Sequence, residues 1–217
     1  MSYQPFPAFF PQLLFAVISV GIGILGWRRR PAPGATSFSL MAFSMALWQL
    51  FSAVEGVSAD LSWKTLLSQA VYLGQGAPTL WLLFALQYTT QGRWATPGRV
   101  LLLAIEPALM ALLVFTTESH QLVWSEIRLE QVGGYAVMVV GHGPAFWVHV
   151  IYTYTLMLLG SIALLRSLGA APLFRLQALA LVGGVLAPWL GNLIYLTGRA
   201  PYNMDLTGPG FVIAALL

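Results

Sequence analysis

A carboxylate followed by proline in the middle of an apolar run, Glu106-Pro107, is the first place to look for chemistry. A helical proline donates no backbone hydrogen bond and frees a carbonyl one turn earlier. Ionisable groups buried in a membrane are costly, so each is a candidate site. Glu106 is therefore either a protonated carboxyl facing a cavity or a neutral one hydrogen-bonded to a neighbouring helix. Glu55, at the end of another apolar run, is either a ligand contact or a solvated terminus. Gln69, Tyr72, Gln75, Gly76 and Thr79 recur at spacings of three and four, which puts them on one stripe of a helix beside Pro78. Pro188, Asn192 and Tyr195 repeat the pattern later in the chain. Such stripes must face protein or water. They serve either as interhelical hydrogen bonds, at ~0.6–2 kcal/mol each, or as the wall of a ligand cavity.

The remaining chemistry is sparse. His142 and His149 are seven residues apart, about two helical turns, too far to share a metal from one regular helix, and His120 is remote from both. No nucleophile elbow, phosphate loop or paired carboxylates are present. The chain has no cysteine, which removes thiol catalysis, thiolate metal sites and disulfides. A retinal Schiff base needs a lysine in the last helix, and Lys64 is the only lysine. No catalytic residue, metal, cofactor or nucleic-acid partner is expected. The candidate ligand-binding residues are Glu55, Tyr72, Gln75, Glu106, His149, Asn192 and Asp205.

The elements that position these groups follow from composition. Hydrophobic residues make up 58% of the 217 and charged residues only 8%, against about 25% in a soluble domain. A soluble enzyme, a disordered tail and a disulfide-stapled scaffold are excluded. About 20 residues cross a hydrocarbon core, and seven apolar segments can be read between breakers at about 8–27, 36–57, 64–90, 98–117, 144–166, 173–197 and from 206. The first is too long for a cleaved signal peptide, and its basic cluster lies after it.

Arg28, Arg29, Arg30, Arg93, Arg99, Arg166 and Arg175 fall on one side, seven of ten basic residues, whereas nearly all the acids fall on the other. The positive-inside rule then places the N-terminus outside. The expected architecture is an all-α membrane protein, a seven-transmembrane-helix bundle that forms one domain over 1–217. The outer segment Glu118–Gly143 alternates around Gly133-Gly134, which predicts a β-hairpin between the fourth and fifth helices. It is either a cover for helix ends or a lid. The last apolar run stops at Leu217 after 12 residues, ~18 Å of helix against a core of ~30 Å, so the seventh helix is expected to be truncated.

Several ordered strings carry a resemblance. Arg30-Pro31 and Pro33-Gly34 precede Ala46-Leu47-Trp48 and Glu55; Leu83-Phe84-Ala85-Leu86-Gln87-Tyr88 ends the third segment. His120-Gln121-Leu122-Val123-Trp124 and Gly143-Pro144-Ala145-Phe146-Trp147 flank the predicted hairpin, with Tyr152 and Tyr154 beyond. Gln177, Pro188 and Asn192 follow, then Asp205-Leu206-Thr207. Together they resemble the N-terminal seven-transmembrane sensory region of prokaryotic histidine kinases, over essentially the whole chain. Gly208-Pro209 departs from the pattern, in which proline directly follows the threonine.

The resemblance implies a signal-input module in the inner (cytoplasmic) membrane. It would sense an extracytoplasmic or membrane-borne ligand, a small molecule or a lipid, and relay it through helix 7 to a cytoplasmic output domain, a histidine kinase or diguanylate cyclase that this chain lacks. It would be a two-component receptor, non-enzymatic in this region, with the bilayer as its surroundings and a homodimer formed through the output domains. The alternatives are a non-catalytic subunit or assembly factor of a larger membrane complex, suggested by eight Trp and twelve Phe, and a small transporter, for which inverted repeats would be expected.

Overall fold

The computed structural model describes residues 2–89, 91–167 and 175–216. The join between the predicted fifth and sixth segments, residues 173–174 of the sixth, and the side chains of Arg175 and Gln177 lie outside the described residues. Helix α1 spans Phe9–Arg28, α2 Ala35–Val57, α3 Leu61–Val71 and α4 Ala77–Tyr88. Next come α5 Pro97–Phe115 and the single turn α6 Thr117–His120. Strands β1 Trp124–Val132 and β2 Tyr135–His142 precede α7 Pro144–Ser167, α8 Arg175–Leu196 and α9 Thr207–Leu216.

Four of these helices, α1, α2, α5 and α7 (to Arg166), are long and apolar enough to cross a membrane. The burial of α1 is inverted relative to a soluble helix. On α1 the buried positions are Gln12, Ala16, Ser19 and Gly23, small or polar and spaced four, three and four. Phe10, Leu14, Val17 and Leu25 are exposed. Small residues let helix backbones approach, and apolar side chains suit a hydrocarbon surround. Leu101, Leu102 and Leu112 on α5 and Val148, Ile151 and Leu158 on α7 face outward in the same way.

The predicted third segment is the main departure from the sequence reading. It begins three residues earlier, where the Asp60 carboxylate caps α3 by accepting the Trp63 N–H at 3.2 Å, and it is not one helix. It breaks through a 3₁₀ turn at Tyr72–Gly74 before α4 starts with Pro78 in its first turn. Gly74 permits the break: a Cβ there would lie 2.6 Å from the Ser44 carbonyl oxygen of α2. The stripe of Gln69, Tyr72, Gln75, Gly76 and Thr79 therefore runs across a bend.

Helix α1 packs along α2, α4 along α7, and α8 along α9. One core joins α2, α4 and α7 through Met41, Met45, Trp48, Trp81, Leu156 and Met157, with Trp81 Nε1 donating to the Met157 carbonyl at 3.2 Å. A smaller one gathers Tyr72, Met110, Val114, Val123 and Trp124 where α5 meets the hairpin.

The hairpin forms as its alternation predicts. Its strands pair antiparallel from Trp124↔His142 to Val132↔Tyr135, and Gly133 and Gly134 turn at φ +60° and +86°, the sign a two-residue primed turn requires. Exposed Arg128 bridges Glu126 and Glu130 on its outer face. The chain start straps it down: Gln4 Oε1 accepts the Ala136 N–H at 2.7 Å, and Gln4 Nε2 donates to the carbonyls of Ala136 and Gly56. The hairpin, the chain start and the end of α2 thus share one end of the molecule. Arg28, Arg29 and Arg30 close α1 at the other.

Candidate functional site

A cavity of about 140 Å³ lies beneath β2, between α2, α3, the start of α7, the end of α8 and the segment before α9. Glu55, Tyr72, Gln75 and Asp205 of the predicted residues line it. A second cavity of about 60 Å³ lies between α2, α4, α7 and α8, and is lined by Gln75, His149, Asn192 and Asp205. Trp48, Gln75, Phe146 and Asp205 border both cavities. Six of the seven predicted residues, drawn from six different elements or connections, thus meet in one connected region.

Glu106 is the exception. It lines neither cavity; its Oε1 lies 2.7 Å from Nδ1 of buried His149 on α7. Of the two readings of Glu106, the hydrogen bond to a neighbouring helix is the one present. The adjacent proline has the expected consequence, since the Leu103 carbonyl, freed by Pro107, accepts the Tyr152 hydroxyl at 2.7 Å. The proline-bearing turn of α5 is thereby tied to α7 twice.

In the larger cavity Lys64 is only 1% exposed. It donates to Glu55 Oε1 at 2.8 Å and to the Glu55 carbonyl at 3.0 Å. Asp60 makes this possible by starting α3 one turn before Lys64, so that the lysine faces the end of α2. Glu55 is thus an ion-paired wall residue, not a solvated terminus.

Asp205 has different company. It accepts the Thr207 N–H at 2.9 Å and the Thr207 hydroxyl, and Asn192 donates to it as well. Burial holds its carboxyl above the usual carboxylate range, against the pull of those hydrogen bonds. Asn192 Oδ1 in turn accepts the Tyr154 hydroxyl at 2.8 Å. A continuous polar chain therefore runs from α7 through α8 to the first turn of α9. Gly191 and Gly210 allow the close approach of α8 and α9, since a Cβ at Gly191 would lie 2.4 Å from the Leu206 carbonyl oxygen and one at Gly210 2.5 Å from Pro188.

Sequence reasoning missed several wall residues. His142 stacks on Phe146 with ring centroids 3.9 Å apart, and its Nε2 lies 3.3 Å from the Tyr195 hydroxyl; burial pushes this imidazole below its ordinary range. Phe6, Tyr135 and Tyr202 form an edge-to-face triangle with centroids 5.5–5.7 Å apart. Tyr202 holds a left-handed φ of +53°, a conformation a bulky residue rarely adopts. Lys64 carried a legible signal as a lone lysine beside an apolar run, whereas Gln4 and Phe6 carried none, because their roles depend on where the hairpin lands.

A family model described as the N-terminal 7TM region of histidine kinase matches residues 11–217. No curated protein and no solved structure matches the chain.

Proposed function

The chain belongs to the family of N-terminal 7TM regions of histidine kinases, and on that premise we propose that it is the input module of a sensor kinase, binding a small molecule in the cavity beneath the hairpin and passing the event to its last helix. The observation that carries this reading is the position of Asp205. Asp205 lines both cavities, and its carboxyl also accepts the Thr207 N–H in the first turn of α9. A ligand that changes the hydrogen bonding of Asp205 changes the anchoring of the helix leading to the output domain.

In this reading the seven segments form one bundle across the inner membrane, with α3 and α4 as a single broken crossing. The N-terminus and hairpin face outward, and Arg28–Arg30 face the cytoplasm. Support comes from the segregation of basic residues to the end away from the hairpin. The signal would be a shift between two packings of the bundle, and the ligand must bind one of them more tightly. Each tenfold difference in affinity supplies ~1.4 kcal/mol of bias. Output domains following α9 would read the shift, as a dimer.

The test is the output of the full-length protein in membranes. Glu106→Gln and Tyr72→Phe change a polar group with little loss of volume, and Asn192→Ala removes the amide that joins Tyr154 to Asp205; each is expected to insert normally and change autophosphorylation or its ligand response. Normal insertion with unchanged output in all three would refute the reading.

A further inference from the structure

The cavity beneath the hairpin has an uncommon balance of groups. Seven aromatic residues line it, among them Trp48, Tyr72, Trp124 and Tyr195. Its two ionised wall groups outside Asp205 cancel, since Lys64 is paired with Glu55 at 2.8 Å. His142 adds no positive charge near neutral pH, because burial lowers its basicity.

Asp205 has only neutral donors around it, the backbone and hydroxyl of Thr207 and the Asn192 amide, and no cationic side chain pairs with it among the described residues. Gln12 and Gln75 also line the cavity, and the Oε1 atom of each is buried without a hydrogen-bond partner among the described residues. The walls thus offer one carboxyl and two idle acceptors inside an aromatic enclosure. What is missing is positive charge.

We propose that this cavity binds a small organic ammonium ion, held by the Asp205 carboxylate, the Gln12 and Gln75 oxygens and the surrounding aromatic rings. Aromatic rings attract ammonium ions through their quadrupole, most strongly when water is excluded. An anion would instead have to displace Glu55 from Lys64 and enter beside a second carboxyl. The size is consistent with a small ion: the cavity holds about 140 Å³, and one of ~150 Å³ admits benzene, so an occupant on the scale of choline or tetramethylammonium fits and a peptide does not. The ligand class rests on the reading of this cavity as the sensory site, but binding and signalling are separately measurable.

The experiment is equilibrium binding to the whole chain in lipid nanodiscs, read by calorimetry and by intrinsic tryptophan fluorescence. The probes are choline, tetramethylammonium and the uncharged carbon isostere of choline. Saturable binding of both cations is expected, with the isostere at least about tenfold weaker. Asp205→Asn, which keeps an acceptor for the Thr207 N–H, is expected to weaken choline by about tenfold. Trp124→Phe retains binding whereas Trp124→Leu loses it, a contrast that does not depend on Asp205. No saturable cation binding, or equal binding of the isostere, overturns the proposal. Choline binding without any effect on the full-length kinase would leave the ligand class standing and refute the sensory role. Variants that alter output in a protein that binds no ammonium would do the reverse.

Discussion

Asp205 shows how one residue can belong to two structures at once. As a cap it satisfies a backbone donor that α9 would otherwise leave open; as a wall residue it borders two cavities. Burial raises its pKa, which fixes the sign of a pH effect. Below the raised value the carboxyl is neutral and attracts no cation; above it the carboxylate does. Choline affinity is therefore expected to rise with pH through the Asp205 titration and then level off, and Asp205→Asn should flatten that rise in calorimetric titrations. The groups facing Asp205 are the phenols of Tyr72, Tyr154 and Tyr195 with Asn192 and Thr207; the Glu55–Lys64 pair and His142 border the same cavity, and His149 borders the smaller one. His142 becomes cationic on acidification and acts in the same direction, and His142→Gln removes that contribution. Glu106, which drew attention first, is bound to His149 behind the cavity. Its type and place in an apolar run were legible, but its partner was not, because that depends on how α5 and α7 are rotated.

Among the elements, hairpin and break show why some structure is readable and some is not. Alternation around Gly133-Gly134 specifies a hairpin locally, and the pairing follows. The break at Tyr72–Gly74 is set by a neighbour, the backbone of α2, and no local pattern predicts it. Pro78 sits where proline is at ease, in the first turn of α4. The two glycines around the break separate these causes. Gly74→Ala would place a methyl 2.6 Å from the Ser44 carbonyl oxygen and 2.9 Å from the Trp48 nitrogen, an overpacking that typically costs ~1–3 kcal/mol. Gly76 has a φ of −70° and nothing within 4 Å of its added Cβ, so Gly76→Ala should be tolerated. Thermal unfolding in detergent is expected to show a lower Tm for Gly74→Ala and a near-native one for Gly76→Ala.

At the scale of the whole molecule, composition and charge were the most informative features, because a chain with 8% charged residues and 58% hydrophobic ones has few solutions open to it. The outward apolar faces of α1, α5 and α7 express that composition directly. What composition could not supply is the connection between site and last helix, which runs through Tyr154, Asn192, Asp205 and Thr207. The central claim is that this connection sets the packing of α9. A chain without cysteine allows spin labels to be placed uniquely, and Val20 on α1 and Ile213 on α9 are both exposed, at 42% and 45%. The most direct measurement is the distance distribution between labels on Val20→Cys and Ile213→Cys in bilayers, with and without Asn192→Ala. Two distance populations are expected, whose ratio shifts about threefold to thirtyfold when Asn192 is removed, the equivalent of its hydrogen bond to Asp205. A single distribution, unchanged by Asn192→Ala, would contradict that claim.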